Sequence, residues 1–207
     1  MNGLIRRGLL AAIAAAAAVG ALAAPASAGI LTASATNCND GAITQPFAAW
    51  GDQAQYKAVQ GASFESSTAG WTLSGKAKVV AGNEPWKVGG SGHGKSLVLP
   101  AGSSVITPTS CVGIHEPTLR FFAKKNSGLL STLAVSVYVK TSLGLVVPVP
   151  VGVVLGNGQW KATSPMLIVA NLLPLLPGDK TPVAFQFTPI LGDWQIDDVY
   201  VDPRSFR

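Results

Sequence analysis

Asp197 and Asp198 are the two residues whose placement asks most of this chain. They stand side by side in Trp194-Gln195-Ile196-Asp197-Asp198-Val199-Tyr200-Val201, a run that reads as a strand. Neighbouring side chains of a strand point to opposite faces, so one of these carboxylates is expected to point into the protein. A carboxylate there needs a cation, a metal or several N–H donors to offset its lost hydration. Calcium would meet that need, because it takes several oxygen ligands and completes carboxylates with carbonyls and water. Glu65, in Ser63-Phe64-Glu65 at the opening of the folded region, is the expected second carboxylate, so one ion would clip the first and last strands together. The competing reading leaves Glu65 at the surface and has Asp197 accept backbone hydrogen bonds.

A second motif is louder and carries less. Gly89-Gly90-Ser91-Gly92-His93-Gly94-Lys95-Ser96 fits the phosphate-binding loop pattern at every required position. That chemistry needs the lysine and serine to open a helix whose N-terminus faces the phosphates. Here they open Leu97-Val98-Leu99-Pro100, which is strand-like and ends on proline within a turn. A flexible glycine loop between strands is expected, and no nucleotide partner.

Catalytic arrangements find little support. The histidines are His93, inside the glycine loop, and His115, beside Glu116-Pro117. No Gly-x-Ser-x-Gly elbow is present, and adjacent carboxylates on a strand do not face one another. The chain is therefore expected not to be an enzyme. Sugar binding is different chemistry, resting on Trp or Tyr faces against the apolar side of a pyranose. Trp86, Tyr138 and Trp160 are the candidates, with Tyr138 sharing the polar face of its strand with Ser136 and Lys140. Residues of these types are more often plain core or hairpin packing.

The elements that must position these residues begin after a leader. Arg6-Arg7, the apolar run Leu9 to Leu22 and Ala26-Ser27-Ala28 have the layout of a secretory signal peptide, read as residues 1–28. The apolar run is short for a membrane span, so none is expected after cleavage. Arg6-Arg7 also touches on twin-arginine export, though Ile5 and Gly8 fit that motif poorly, which favours general secretion. About 180 residues would remain, enough for one domain with its own core. Setting Arg6 and Arg7 aside lowers Lys plus Arg from 15 to 13, against 10 acidic residues, a net charge of about +3. The basic residues are scattered, which argues against a nucleic-acid partner. Cys38 and Cys111 are an even pair in an exported chain, and are expected to form a disulfide contributing about 4 kcal/mol.

Residues 29–60 read as an extended leader anchored by Phe47, Trp50, Tyr56 and Cys38. From 61 to 207 short alternating runs are punctuated by glycine and proline, best in Val135/Val137/Val139 against Ser136/Tyr138/Lys140. Pro148 and Pro150 make Leu145 to Val154 an edge strand. Asn157-Gly158 predicts a hairpin into Gln159 to Ala162. Leu167 to Leu176, Leu-rich and broken by Pro174, reads as a buried strand leading into a loop. No stretch keeps a helical period, so the expected class is all-β, a jelly-roll β-sandwich of antiparallel strands.

Phe64-Glu65, Trp71, Ser96-Leu97, Cys111-Val112 and Trp194 to Val199 together resemble the galactose-binding-like jelly roll of carbohydrate-binding modules, most of all small secreted actinobacterial proteins of that kind. The resemblance spans about residues 61–203. It implies a structural calcium held by Glu65 and Asp197, and a non-catalytic role with a polysaccharide or cell-wall glycan as partner. A structural or adhesive surface protein without a sugar site is the alternative on the same fold.

Overall fold

The computed structural model describes residues 42–112, 118–140, 144–168 and 181–202. Its strands, in chain order, are β1 (Ile43–Thr44), β2 (Tyr56–Ala58), β3 (Thr72–Ser74), β4 (Lys78–Ala81), β5 (Lys95–Leu99), β6 (Ser104–Ile106) and β7 (Ser110–Val112). They continue with β8 (Thr118–Lys125), β9 (Thr132–Lys140), β10 (Val146–Leu155), β11 (Lys161–Ala162), β12 (Met166–Leu167), β13 (Thr181–Ile190) and β14 (Trp194–Val201). One short 3-10 turn, Ala48–Trp50, interrupts them. The class is all-β, as the alternation predicts.

Two antiparallel sheets face each other. One runs β1-β2-β14-β5-β4, with β8 on the other side of β14 and β11 and β12 beyond β8. The other runs β10-β9-β13-β6-β3, with β7 also on β13. Leu97, Phe121, Trp194 and Ile196 from the first sheet meet Val135, Val137, Phe185 and Phe187 from the second in a continuous core. Phe121 and Phe187 touch edge to face at 4.9 Å. The Trp194 indole N–H is satisfied inside that core by Ser131 Oγ at 2.7 Å.

A second apolar cluster lies on the outside of the first sheet. Phe47, Tyr56, Phe122 and Tyr200 form it, and all four are buried. On β8 the outward-facing positions are Arg120, Phe122 and Lys124, the face alternation would leave to solvent. The segment from Ile43 to Tyr56 covers them instead. Arg120 lies over the Phe47 ring, pairs with Asp52 and donates through Nε to the Thr163 carbonyl at 2.8 Å. Because β2 pairs with β14, residues ahead of 61 contribute strands to the sandwich, not only anchors laid on it.

Several local expectations change. Ser63–Glu65 is a turn, not a strand: Phe64 takes φ 57, and its N–H bonds to the Gly61 carbonyl. Asn157-Gly158 does not close a hairpin. β10 pairs with β9 and β11 with β8, so this link crosses from one sheet to the other. Asn157 Oδ1 accepts from Gln159 N–H, a local turn that makes the crossing without strand pairing. β10 is an edge strand carrying Pro148 and Pro150, as predicted, with a register shift between Pro150 and Gly152. Of the Leu-rich stretch, Met166–Leu167 is a short strand on β8, and residues 169–180 lie outside the described residues. Cys111 is buried on β7, and its carbonyl accepts from Lys57 Nζ at 2.7 Å. Cys38, His115, Glu116 and residues 1–28 also lie outside.

Close backbone packing at one turn should make glycine obligatory there. A Cβ on Gly192 would fall 2.4 Å from the Ser127 carbonyl oxygen and 2.6 Å from Ser131 Cβ, whereas one on Gly92 would meet nothing within 4 Å. Gly192→Ala is expected to cost about 1–3 kcal/mol in urea unfolding. Gly92→Ala should leave the midpoint in place, and equal effects of the two would contradict this packing.

Candidate functional site

The flank of β14 is broken in its middle. β5 pairs with Trp194, Gln195 and Ile196, and β2 with Tyr200 and Val201. Between them the turn at 59–62 supplies the missing bonds: Val59 N–H donates to the Val199 carbonyl, and the Ala62 carbonyl accepts from Asp198 N–H. On the opposite side β8 pairs with Asp197 through Phe122 and with Tyr200 through Arg120, so two β14 residues stand against one. That is a β-bulge, and Asp198 carries it at φ 47. Simple alternation therefore fails here. Both carboxylates are buried rather than one.

The excursion between β4 and β5, residues 82–94, folds over them. Glu84 N–H donates to Asp197 Oδ2 at 3.1 Å, and Asp198 N–H to Asp197 Oδ1 at 2.9 Å. Gly89 N–H donates to Asp198. A Cβ at Gly89 would lie 2.5 Å from Asp198 Oδ1 and 2.7 Å from the His93 ring, so only glycine fits against them. Glu65 Oε1 accepts from Gly94 and Lys95 N–H, each at 2.7 Å. The glycine-rich run is thus a loop entering a strand, and its N–H groups grip carboxylates of the protein itself.

Glu84 is a third buried carboxylate, which reading the sequence alone did not single out. Its two oxygens accept from Trp86 and Val88 N–H, both at 2.6 Å, closing its own turn. The available signal was Gly82-Asn83-Glu84-Pro85, a turn-forming run with an acid inside it.

Burial and the neighbouring negative charges raise the pKa of both adjacent aspartates. Burial pushes Asp197 up to about 9, with the Asp198 charge adding to it and the N–H groups of Glu84 and Asp198 opposing. Burial and then the Glu84 charge push Asp198 up to about 7, against the N–H of Gly89 and with a contribution from Glu65. Tyr200 is raised by burial and by the same charges. Glu65 behaves oppositely: burial works upward, but the Gly94 and Lys95 N–H groups, His93 and the Lys95 charge hold it low.

Three buried polar atoms of this region have no hydrogen-bond partner in the protein: Asp198 Oδ2, Asn83 Oδ1 and His93 Nδ1. Oxygen donors of this kind fit a hard cation such as calcium. Among the described residues no three His, Cys, Asp or Glu side chains converge as a ligand set by themselves, so carbonyls and water would have to complete one. Of the two residues expected to hold the ion, Asp197 has each oxygen engaged by an N–H. Glu65 acts on Asp198 through its charge, with its Oε1 engaged by the Gly94 and Lys95 N–H groups, and Asp198 owns the oxygen without a partner.

The three expected sugar-contacting residues divide between surfaces. Trp86 is 46% exposed and meets Trp50, itself 36% exposed, edge to face at 4.9 Å. Both rest on Phe122, at 5.7 Å and 5.3 Å. Trp160 flanks the same cluster, with Lys124 Nζ 5.5 Å above its ring. Tyr138 lies away from them, outward on β9 of the other sheet, with its hydroxyl 3.2 Å from Gln186 Oε1. Trp71 and Trp194 have satisfied indoles, whereas among the described residues those of Trp50, Trp86 and Trp160 meet no protein acceptor.

No protein-family model matches the chain, and no curated protein matches it in sequence, so the actinobacterial likeness has no sequence relative behind it. Solved structures do match in shape. The Clostridium thermocellum xylanase 10B fragment with a family 22 carbohydrate-binding module and a family 10 hydrolase module, complexed with xylohexaose, matches at TM-score 0.50 and 15% identity. The match covers 69% of this chain and 28% of that one. The C-terminal family 22 module of the same enzyme matches at 0.42 and 20%, covering 69% and 92%. A family 61 module bound to β-1,4-galactotriose matches at 0.40 and 20%, covering 70% and 97%. The first of these shows the fold alone, a two-sheet antiparallel β-sandwich.

The raised carboxyls give a pH signature with a definite sign. An unfolded Asp titrates near ~3.9, so between that value and 7 to 9 the folded chain holds protons the unfolded chain has lost. Stability in chelator should therefore fall as pH rises across that window. Calorimetry at two pH values decides it, and a chelated chain equally stable at pH 5 and 8 contradicts the cluster's assignment.

Proposed function

We propose that this chain is an exported, non-catalytic carbohydrate-binding protein, with a calcium ion held by Glu65 and Asp198 as a structural clip. The observation that supports the sugar reading best is the Trp50–Trp86 pair. Half-exposed indoles with unused N–H groups, backed by a buried aromatic layer, are rigid and costly to leave in water unless something stacks on them. A pyranose chain offers apolar C–H faces for the rings and hydroxyls for the N–H groups. A polysaccharide or cell-wall glycan is the partner class, and Trp160 extends the same surface. The Cys38–Cys111 disulfide belongs to this reading, since export supplies an oxidising compartment.

The calcium reading is supported by the unpartnered Asp198 oxygen and the depth of the cluster. When bound, the ion would supply positive charge to carboxylates that otherwise keep protons. Glu65 and Asp198 would hold it, Asp197 would orient the loop through Glu84 N–H, and Gly89 leaves the space.

A glycan array followed by calorimetry on any hit tests the function. Trp50→Ala and Trp86→Ala are each expected to weaken binding several-fold and up to about tenfold, the scale of about 0.5–1.5 kcal/mol per stacked ring. Tyr138→Ala should bind as the parent does. Loss confined to Tyr138→Ala would move the site to the other sheet. An array with no hits would favour the structural or adhesive role.

A further inference from the structure

One end of the sandwich is closed by two turns, 126–131 between β8 and β9 and 191–193 between β13 and β14. They are bonded to each other: Asn126 and Ser127 N–H donate to the Asp193 carbonyl at 2.8 and 3.3 Å, and Asp193 N–H donates to Ser127 Oγ at 3.0 Å. A Cβ on Gly128 would fall 2.2 Å from the Leu191 carbonyl oxygen, so the two backbones meet as closely as backbones can. Leu191 itself takes φ 58, a conformation L side chains rarely adopt.

This rigid junction holds apolar side chains out into solvent. Leu129 is 92% exposed, Leu130 77%, Leu191 72% and Ile190 43%. The sheet register adds a fifth. Leu155 and Ile190 both pair with Thr132, from opposite sides, so they flank it on one face, and Leu155 is 75% exposed. A Cβ on Gly156 would lie 2.9 Å from Lys125 Cβ, which brings the end of β10 against the same turn. The five aliphatic side chains therefore form one patch.

Its surroundings are cationic. Across residues 99–103, 124–132, 153–161 and 188–195 the basic residues are Lys124, Lys125 and Lys161, and Asp193 is the single acid. Asp193 Oδ1 is engaged by Ala101 N–H at 2.8 Å, and Lys125 Nζ reaches the Leu129 carbonyl at 3.3 Å, at the patch edge.

We propose that this end of the sandwich docks on an anionic lipid surface, with Leu129, Leu130 and Leu191 entering the headgroup–acyl boundary and the lysines meeting the headgroups. Protruding aliphatics with Lys125 at their edge and lysines in the neighbouring segments match a medium that is apolar inside and negative at its face. A turn pair already locked by backbone bonds loses little freedom on insertion. A second copy of the chain fits less well, because five side chains, three on turn tips and two at strand ends, offer less than the ~800 Å² per partner that a stable interface uses.

Co-sedimentation with vesicles tests it, using chain exported by a bacterial host and taken from the medium. Binding is expected to phosphatidylglycerol-containing vesicles and at least tenfold less to pure phosphatidylcholine. Leu129→Ser/Leu130→Ser should reduce it at least tenfold with an unchanged melting temperature, both side chains being exposed. Lys124→Gln/Lys125→Gln should reduce it several-fold and flatten its salt dependence. No binding by the parent chain, or equal binding by the leucine variant, overturns the proposal. So does a parent that ignores vesicles and self-associates until the leucines are changed, which would assign the patch to a second copy.

Discussion

The break in the flank of β14 is the constraint from which the rest of the site descends. β5 stops pairing at Ile196 and β2 begins at Tyr200, leaving the backbone of Asp198 and Val199 to find other partners. A buried backbone group without one is expensive, so the turn at 59–62 must pack into the gap. Accommodating it needs the bulge, and the bulge puts Asp198 into a left-handed conformation. Two consecutive carboxylates then turn toward one covering loop instead of separating to the two faces. Glycine at 89 follows, because nothing larger fits beside Asp198 and His93.

The same sheet is buried on both sides, and each side has its own cost. Its inner face meets the other sheet through ordinary aliphatic packing. Its outer face carries Phe122, Tyr200 and Arg120, which would be half wet but for the segment from Ile43 to Tyr56. Phe47 stacks on Phe122 at 5.4 Å and meets Tyr200 edge to face at 5.6 Å. Asp52 gives Arg120 its counter-charge. Burial alone would raise the Asp52 carboxyl, yet the Tyr56 hydroxyl, Ala54 N–H and Arg120 together hold it below its usual value. Burial and Asp52 push the Tyr56 hydroxyl up to about 12, so it stays a donor. The charged pair is thus satisfied from several directions, which a buried pair requires if it is not to destabilise the fold.

Period-two alternation made most of the strands legible. Val135, Val137 and Val139 are inward on β9, and Phe185 and Phe187 on β13, as their spacing predicts. What alternation cannot express is a residue inserted into the count. The bulge at Asp198, the turn at Phe64 and the crossing at Asn157-Gly158 are all interruptions of pairing, set by which strand lies opposite rather than by local preference. The leader's partnership with Phe122 was legible in principle: Leu119, Phe121 and Phe122 together are apolar on both faces of one strand, a pattern that calls for two covers. Glu84 was not, since an acid in a turn reads as solvated until tertiary contacts bury it.

The acidic cluster and the tryptophan surface are not independent features of this fold. Glu84 and Trp86 are two residues apart on one excursion, and Trp86 N–H donates to the Glu84 carboxylate at 2.6 Å. Glu84 N–H in turn donates to Asp197. The position of the Trp86 ring is therefore set by the same turn that seals the carboxylates. Adding or removing positive charge beneath that turn alters the Coulomb repulsion between Glu84 and the two Asp side chains, and hence how firmly the turn is held. Trp50 has no such tether and leans on Trp86 and Phe122 for its orientation. Both indoles are thus coupled to the charge carried by the middle of β14, which changes as Asp198 and Asp197 lose their protons near pH 7 to 9.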